Sequence, residues 1–279
     1  EFSIRIKKDA SAMSVSVSII VPCYNVAAYL DQCMESLAGQ SMEDIEIICV
    51  NDGSSDHTAE ILREWRDRDG RVRVIDRKNS GVSAARNSGM EAAAGKYIGF
   101  VDPDDVVERN MFRRLFDAAV EKDADVAVCG YHEFCDRGGM DMPESGWSPS
   151  AGFFPEEKAE RFRRGTPWSR CAGTVWNKLI RRELLLENDI RFGEEFAICE
   201  DMAFSMQVLE KSKGICVVPE SLYCYHYKEA ENLVNRFHEN YYEALLYFRD
   251  RTWQCFRTLQ AKQELYAEVN ACFVGKSLM

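Results

Sequence analysis

The stretch Ile45-Glu46-Ile47-Ile48-Cys49-Val50-Asn51-Asp52-Gly53-Ser54-Ser55-Asp56 passes from an apolar run, broken by one charge, straight into a polar turn that contains a glycine. Such a run suits a strand covered by helices on both faces, and the turn residues behind it suit a helix start. Working outward, the first half alternates β-branched runs with amphipathic stretches, the pattern of parallel strands joined by crossover helices. The strand candidates are Val15 to Val21, Ile45 to Asn51, Val72 to Asp76, Tyr97 to Val101 and Val126 to Gly130. Helices are expected near Ala27 to Leu37, Thr58 to Arg68, Val82 to Ala93 and Met111 to Lys122, with apolar residues such as Ile61, Leu62 and Trp65 at helical spacing. Asp56 is placed to cap the second helix, and Gly95 to end the third as a left-handed residue. The expectation is a doubly wound, mostly parallel α/β sheet, whose ligands bind beyond the carboxyl ends of the strands.

With 279 residues, 46% of them hydrophobic, the chain can bury a full-sized core. Its 35 Lys and Arg against 46 Asp and Glu give a net charge of −11, which argues against a nucleic-acid partner, because affinity for a phosphate backbone needs concentrated positive charge. Eleven cysteines are scattered with no Cys-x-x-Cys pair, so they read as reduced core residues of a cytosolic protein. No run approaches a membrane span and no signal peptide is apparent, so a soluble chain is expected, with residues 1 to 14 set aside as a leader.

The candidate strand ends carry the chemistry. Asn51 to Asp56 offers a carboxylate, a flexible glycine and hydroxyls that either hydrogen-bond a base or ribose edge or simply form a helix-capping turn. Phe100-Val101-Asp102-Pro103-Asp104-Asp105 sets three carboxylates within four positions. Crowded like charges need raised pKa values or a bound cation. Oxygen ligands favour Mg²⁺ or Mn²⁺, and the alternative is an acidic helix start. In Asn79-Ser80-Gly81-Val82-Ser83-Ala84-Ala85-Arg86-Asn87-Ser88-Gly89, small residues open a helix carrying one arginine. That arginine either meets phosphate or pairs with the Asp cluster and braces it.

Together with Ile19-Ile20-Val21-Pro22-Cys23-Tyr24-Asn25, these four motifs, in this order and at these strand ends, resemble the bacterial family 2 inverting glycosyltransferases of GT-A fold. The resemblance is strong over about residues 15 to 130. It implies transfer of a sugar, with inversion, from a nucleoside-diphosphate sugar, UDP-linked in the usual case, in cell-surface polysaccharide or lipid-linked saccharide synthesis. The acceptor would be a saccharide, lipid-linked or protein hydroxyl, and the cofactor Mn²⁺ or Mg²⁺. Nucleotide-sugar binding falls by resemblance to Pro22, Tyr24, Asn25, Asp52, Ser54, Arg86, Asp102 and Asp105, and the metal to Asp104. Asp105 has the least settled role, serving metal, sugar or structure in different relatives. The implied division is a nucleotide-sugar-binding α/β part (15 to 135), an acceptor-side and catalytic-base part of the same domain (136 to 230), and a mainly helical C-terminal extension (231 to 279). The rivals are a sugar-phosphate nucleotidyltransferase, whose glycine-rich loop the first strand lacks, and a nucleotide-sugar-binding protein without catalysis.

Inversion needs a general base beside the acceptor. Cys199-Glu200-Asp201-Met202 resembles the family's Glu-Asp signature, with Asp201 as base and Glu200 orienting the acceptor, while the bland alternative is an acidic helix N-terminus. The linker is expected from Cys135 to Pro155, followed by helices over Thr174 to Glu187 and Asp201 to Lys213 and a strand from Ile215 to Val218. Within the first of these helices, Trp176, Asn177 and Lys178 are candidates for acceptor binding, Trp176 being equally suited to packing. His226 is either a metal or phosphate contact or structural. The aromatic amphipathic stretch Tyr241 to Leu259 suits a membrane surface at the inner face, the protein core, or a second subunit in a homodimer.

Overall fold

A computed structural model of the chain describes residues 15–136, 141–155, 173–195, 200–227 and 241–258. The first half runs β1 (Val17–Cys23), α1 (Leu30–Ala38), β2 (Ile45–Asn51), α2 (Thr58–Arg68), β3 (Val72–Asp76), α3 (Val82–Ala92) and β4 (Tyr97–Phe100). It continues through β5 (Val106–Val107), α4 (Met111–Glu121), β6 (Val126–Asp136), β7 (Asp141–Trp147), β8 (Gly152–Phe154), β9 (Lys178–Arg181), α5 (Arg182–Glu187), α6 (Glu200–Lys211), β10 (Ile215–Tyr227) and α7 (Tyr241–Thr258). One mixed sheet of order β3-β2-β1-β4-β9-β6-β10-β5 holds them, with β7 on β6 and β8 on β10. Strands β3, β2, β1 and β4 are mutually parallel. Strand β9 enters antiparallel between β4 and β6.

Every residue of β1 and β2 is buried. The pleat sends Ile19, Val21, Ile47 and Cys49 into one core with Leu30, Met34 and Phe112, and sends Ile20, Ile48 and Val50 into the other with Phe100, Phe192 and Phe204. That two-sided core is why the run in β2 is continuously apolar. Glu46 is tolerated because it accepts from the Ser18 hydroxyl (2.6 Å) and the Ala94 N–H (2.7 Å) and pairs with Arg73 (2.5 Å). Burial pushes its pKa up, yet these contacts outweigh it and leave the pKa lowered. Cys23, Cys33, Cys49, Cys129, Cys216 and Cys224 are buried free thiols. Phe204, fully buried and stacked on Phe192 at 3.9 Å, anchors α6 to the sheet. We expect Phe204→Ala to cost about 3–5 kcal/mol in urea unfolding; a loss under about 1 kcal/mol would mean that α6 is held by something else.

The structure corrects several expectations. The segment expected as one helix from Thr174 to Glu187 divides into β9 and the six-residue α5, because Lys178 to Ile180 are pinned between β4 and β6. The expected linker instead extends β6 to Asp136 and builds β7 and β8 onto the sheet, and the tyrosine-rich stretch belongs to one long strand, β10. Gly95 is not left-handed and does not end α3, whose C-cap is Ala93. Its smallness serves close approach, since a Cβ there would lie 2.5 Å from the Ser18 backbone nitrogen. In α7, which packs against α6, Trp253 lies against the second core and Thr252 is buried, so this part of the C-terminal stretch faces the protein itself. The expected segments 1 to 14 and 231 to 240, and the chain after 258, lie outside the described residues.

Candidate active site

Beyond the carboxyl ends of the parallel strands, short polar bonds tie one loop to the next. The Asp52 N–H donates to the Cys23 carbonyl (2.8 Å), the Arg77 N–H to Asn51 (3.0 Å) and the Val101 N–H to Ile20 (3.0 Å). Pro22, two residues beyond Ile20, faces the same side as that carbonyl, just past the end of β4, so its missing N–H leaves no ladder bond unmade. Asn25, left-handed at φ 53°, accepts from the Ser55 N–H (2.8 Å) and donates its own N–H to the Ser54 hydroxyl (3.1 Å). Tyr24 stands out from this edge, half exposed. The N-cap of α2 is His57 rather than the expected Asp56, which stands one position earlier and accepts from the Thr58 N–H at 3.0 Å.

Asp52 is buried and accepts from the Gly81 N–H (2.8 Å) and the Ser80 N–H (3.1 Å), with the Arg77 Nε at 3.2 Å. It thus fixes the loop that leads into α3, where Gly81 adopts φ 92°, a conformation that favours glycine. That loop in turn aims Arg86.

Arg86 is the hub. Its side chain, 4% exposed, reaches Asp102 (3.1 Å), Glu200 (3.1 Å) and Asp201 (2.5 Å), and lies over the Phe192 ring at 5.2 Å. One guanidinium therefore joins Asp102, after β4, to the acids that open α6, which lie 114 and 115 positions beyond Arg86 itself. Burial opposes its charge, but Asp201, Asp102 and Glu200 more than offset this and raise its pKa. The reverse balance holds for the acids. Burial pushes Asp102 up to about 6 and Asp201 up to about 7, with Arg86 pulling both back down.

Of the acids after β4, Asp102 and Asp104 keep partial exposure, whereas Asp105 is 1% exposed. Its oxygens take the Tyr223 O–H (2.7 Å) and the His226 N–H (2.8 Å), while the Tyr223 oxygen accepts from the Asp102 N–H (3.2 Å). Burial, then Asp104 and Asp102, raise the Asp105 pKa well above the carboxylate range. His226 stacks on Phe134 at 5.5 Å, beside Asp105. The acceptor candidates lie deeper than expected. Trp176 packs parallel to Tyr223 (4.2 Å) and Tyr225 (5.6 Å) and edge-on to Tyr131 (4.9 Å), while Asn177 and Lys178 are fully buried.

Some contributors carried no sequence signal. Asn87, one position past Arg86, donates to the Phe192 carbonyl (3.0 Å) and accepts from its N–H (3.0 Å), which holds the segment leading toward α6. Tyr223 is one tyrosine among several in β10, and only its tertiary partners mark it out.

Residues 18–187 match the family model described as glycosyl transferase family 2. The chain belongs to that family. Among family relatives, the glycosyltransferase EpsJ of Bacillus subtilis is 39% identical over 75% of this chain and 60% of its own length, so the chain spans about three fifths of that protein. The poly(ribitol-phosphate) beta-glucosyltransferase of Bacillus spizizenii is 31% identical over 83% of this chain and 36% of its own. Among solved structures, S. aureus TarS 1-349 in complex with UDP-GlcNAc superposes with a TM-score of 0.72 at 25% identity, covering 94% of this chain and 72% of that one. The family 2 assignment and the TarS likeness agree with the expected GT-A α/β architecture.

Family 2 members of this fold commonly use a divalent ion. Among the described residues no three His, Cys, Asp or Glu side chains converge into a ready cage. The partly exposed Asp104 nevertheless fits an ion held by one or two carboxylates with substrate phosphate oxygens completing its shell.

Proposed function

We propose that the chain is an inverting glycosyltransferase that moves a sugar from a UDP-linked donor to an acceptor hydroxyl in the synthesis of a surface polysaccharide or lipid-linked saccharide. The observation that carries this reading is the junction at Arg86, which holds the acid at the donor-side strand end, Asp102, against the pair heading α6. The UDP-GlcNAc bound to TarS and the poly(ribitol-phosphate) named for the Bacillus spizizenii relative support the donor and acceptor classes.

Asp201 takes the proton from the acceptor hydroxyl as its oxygen bonds to the anomeric carbon, and the bond from that carbon to the diphosphate oxygen breaks on the opposite side. Glu200 orients the acceptor. Tyr24, exposed beside Pro22 and Asn25, offers a ring for the base, and Asp52 and Ser54 shape the pocket through the loops they fix. Asp105 supports from beneath, through Tyr223 and His226. Asp104 would hold Mn²⁺ or Mg²⁺, which when bound supplies positive charge to the departing diphosphate.

Asp104→Ala is expected to remove the Mn²⁺-dependent part of UDP-GlcNAc binding measured by calorimetry. Binding that stays unchanged, with the same dependence on Mn²⁺, would sink the metal assignment.

A further inference from the structure

We infer that Lys178 is a positioning residue for Asp201: from the buried side of α6 it balances the negative charge of the Glu200–Asp201 pair and fixes the turn that carries them. The inference rests on Asp201 being the base. Lys178 sits on β9 with no exposed surface, and an ammonium enclosed this way is costly unless negative charge faces it. Its Nζ donates to the Thr174 carbonyl and to Asn177 Oδ1 (2.8 Å). The same Thr174 carbonyl accepts from the Ser205 hydroxyl at 3.0 Å, and Ser205 lies four residues after Asp201, one turn further along α6. Asn177 is itself held, donating to the Cys129 carbonyl (3.2 Å) and accepting from the Thr174 hydroxyl (2.9 Å). Lys178, Thr174 and Ser205 thus form a strut from the sheet to the first turns of α6.

The charged groups acting on Asp201 are Arg86 from α3, Glu200 beside it, Asp102 from the end of β4 and Lys178 from β9. Arg86 and Lys178 favour its ionised form; Glu200, Asp102 and burial oppose it. Arg86 is shared among three acids, so Lys178 supplies the second positive charge. A lysine in this place is neither a sugar ligand nor a phosphate ligand. It keeps the base in the form that accepts a proton.

The test is a ¹³C titration of aspartate-labelled full chain, with the Asp201 signal assigned by its loss in Asp201→Asn. In Lys178→Met the Asp201 midpoint is expected to rise by one unit or more, a tenfold change in its ionisation constant, with kcat for UDP release from UDP-GlcNAc falling at fixed pH and the donor KM holding. Lys178→Arg is expected to restore the midpoint partly. A folded Lys178→Met with the midpoint unmoved overturns the inference. Should Lys178→Met fail to fold, the ¹⁵Nζ signal of wild-type Lys178 serves instead: it must follow the Asp201 titration and lose that pH dependence in Asp201→Asn, and a signal unaffected by Asp201 overturns the inference as well. The two readings separate cleanly. Turnover by Asp201→Asn removes the base assignment and with it the catalytic meaning of Lys178, whereas an inactive Asp201→Asn beside an unmoved midpoint in Lys178→Met removes only the role of Lys178.

Discussion

Asp201→Asn is expected to abolish sugar transfer while donor affinity stays within about threefold, a difference under roughly 1 kcal/mol. The substitution keeps the shape and one oxygen able to accept from Arg86, which lies 2.5 Å away, so the joint between Asp102 and α6 survives. What disappears is the capacity to take a proton, and a positioned base contributes about 10²–10⁴ to rate. The pH profile gives a second readout. Burial, opposed by Arg86, pushes Asp201 up to about 7, and only its ionised form can act, so wild-type kcat is expected to fall as pH drops below about 7. The residual rate of the Asn variant should lack that limb. Full turnover by the variant would take Asp201 out of the mechanism.

The second large effect is on Arg86→Met. Removing the guanidinium leaves Asp102, Glu200 and Asp201 facing one another with their shared cation gone, and breaking a buried ionic contact of this kind costs about 3–5 kcal/mol. The cost has a pH signature whose sign follows from the raised pKa values. Asp102 and Asp201, at about 6 and 7 in the folded chain against roughly 3.9 for a free aspartate, each destabilise the fold as pH climbs from about 4 through 7. Without Arg86 the strongest pull on those values is gone, leaving Lys178 alone to act on Asp201, so the penalty grows and extends further upward. The stability gap between wild type and variant should therefore be small at pH 4 and little changed at 5.5, where both folded proteins hold these acids protonated, and should open as pH passes about 6 to 7 and go on widening above it. Urea unfolding at pH 4, 5.5 and 7.5 measures it. A gap that is constant across this range would mean Arg86 acts by packing on Phe192 rather than by charge.

Where one local rule dominates, the expectation from the chain holds. The β2 run reads as a two-faced strand because both of its sides meet apolar neighbours, and it lies parallel between β1 and β3. The region after 135 defeats local reading. Gly, Pro and Ser there suggest a linker, yet β7 and β8 find the free edges of β6 and β10, and edge pairing depends on partners distant in sequence. Lys178-Leu179-Ile180 carries a helical pattern that loses to the slot between β4 and β6. At the site, Arg86 was legible as either a phosphate contact or a brace, and in the structure its side chain pairs with Asp102, Glu200 and Asp201. Trp176 offered a ring for sugar that Tyr223 and Tyr225 cover instead.

Spacing and residue type alone determine that this chain builds a parallel α/β half and collects its acids at the ends of β2 and β4, because strand period and turn chemistry act over a few residues. Which acids remain open to a ligand, which are turned inward as Asp105 is, and which cation they share are settled only when the chain closes on itself. Burial and charge pairing reach across more than 100 positions there, and no local pattern encodes a distance through space.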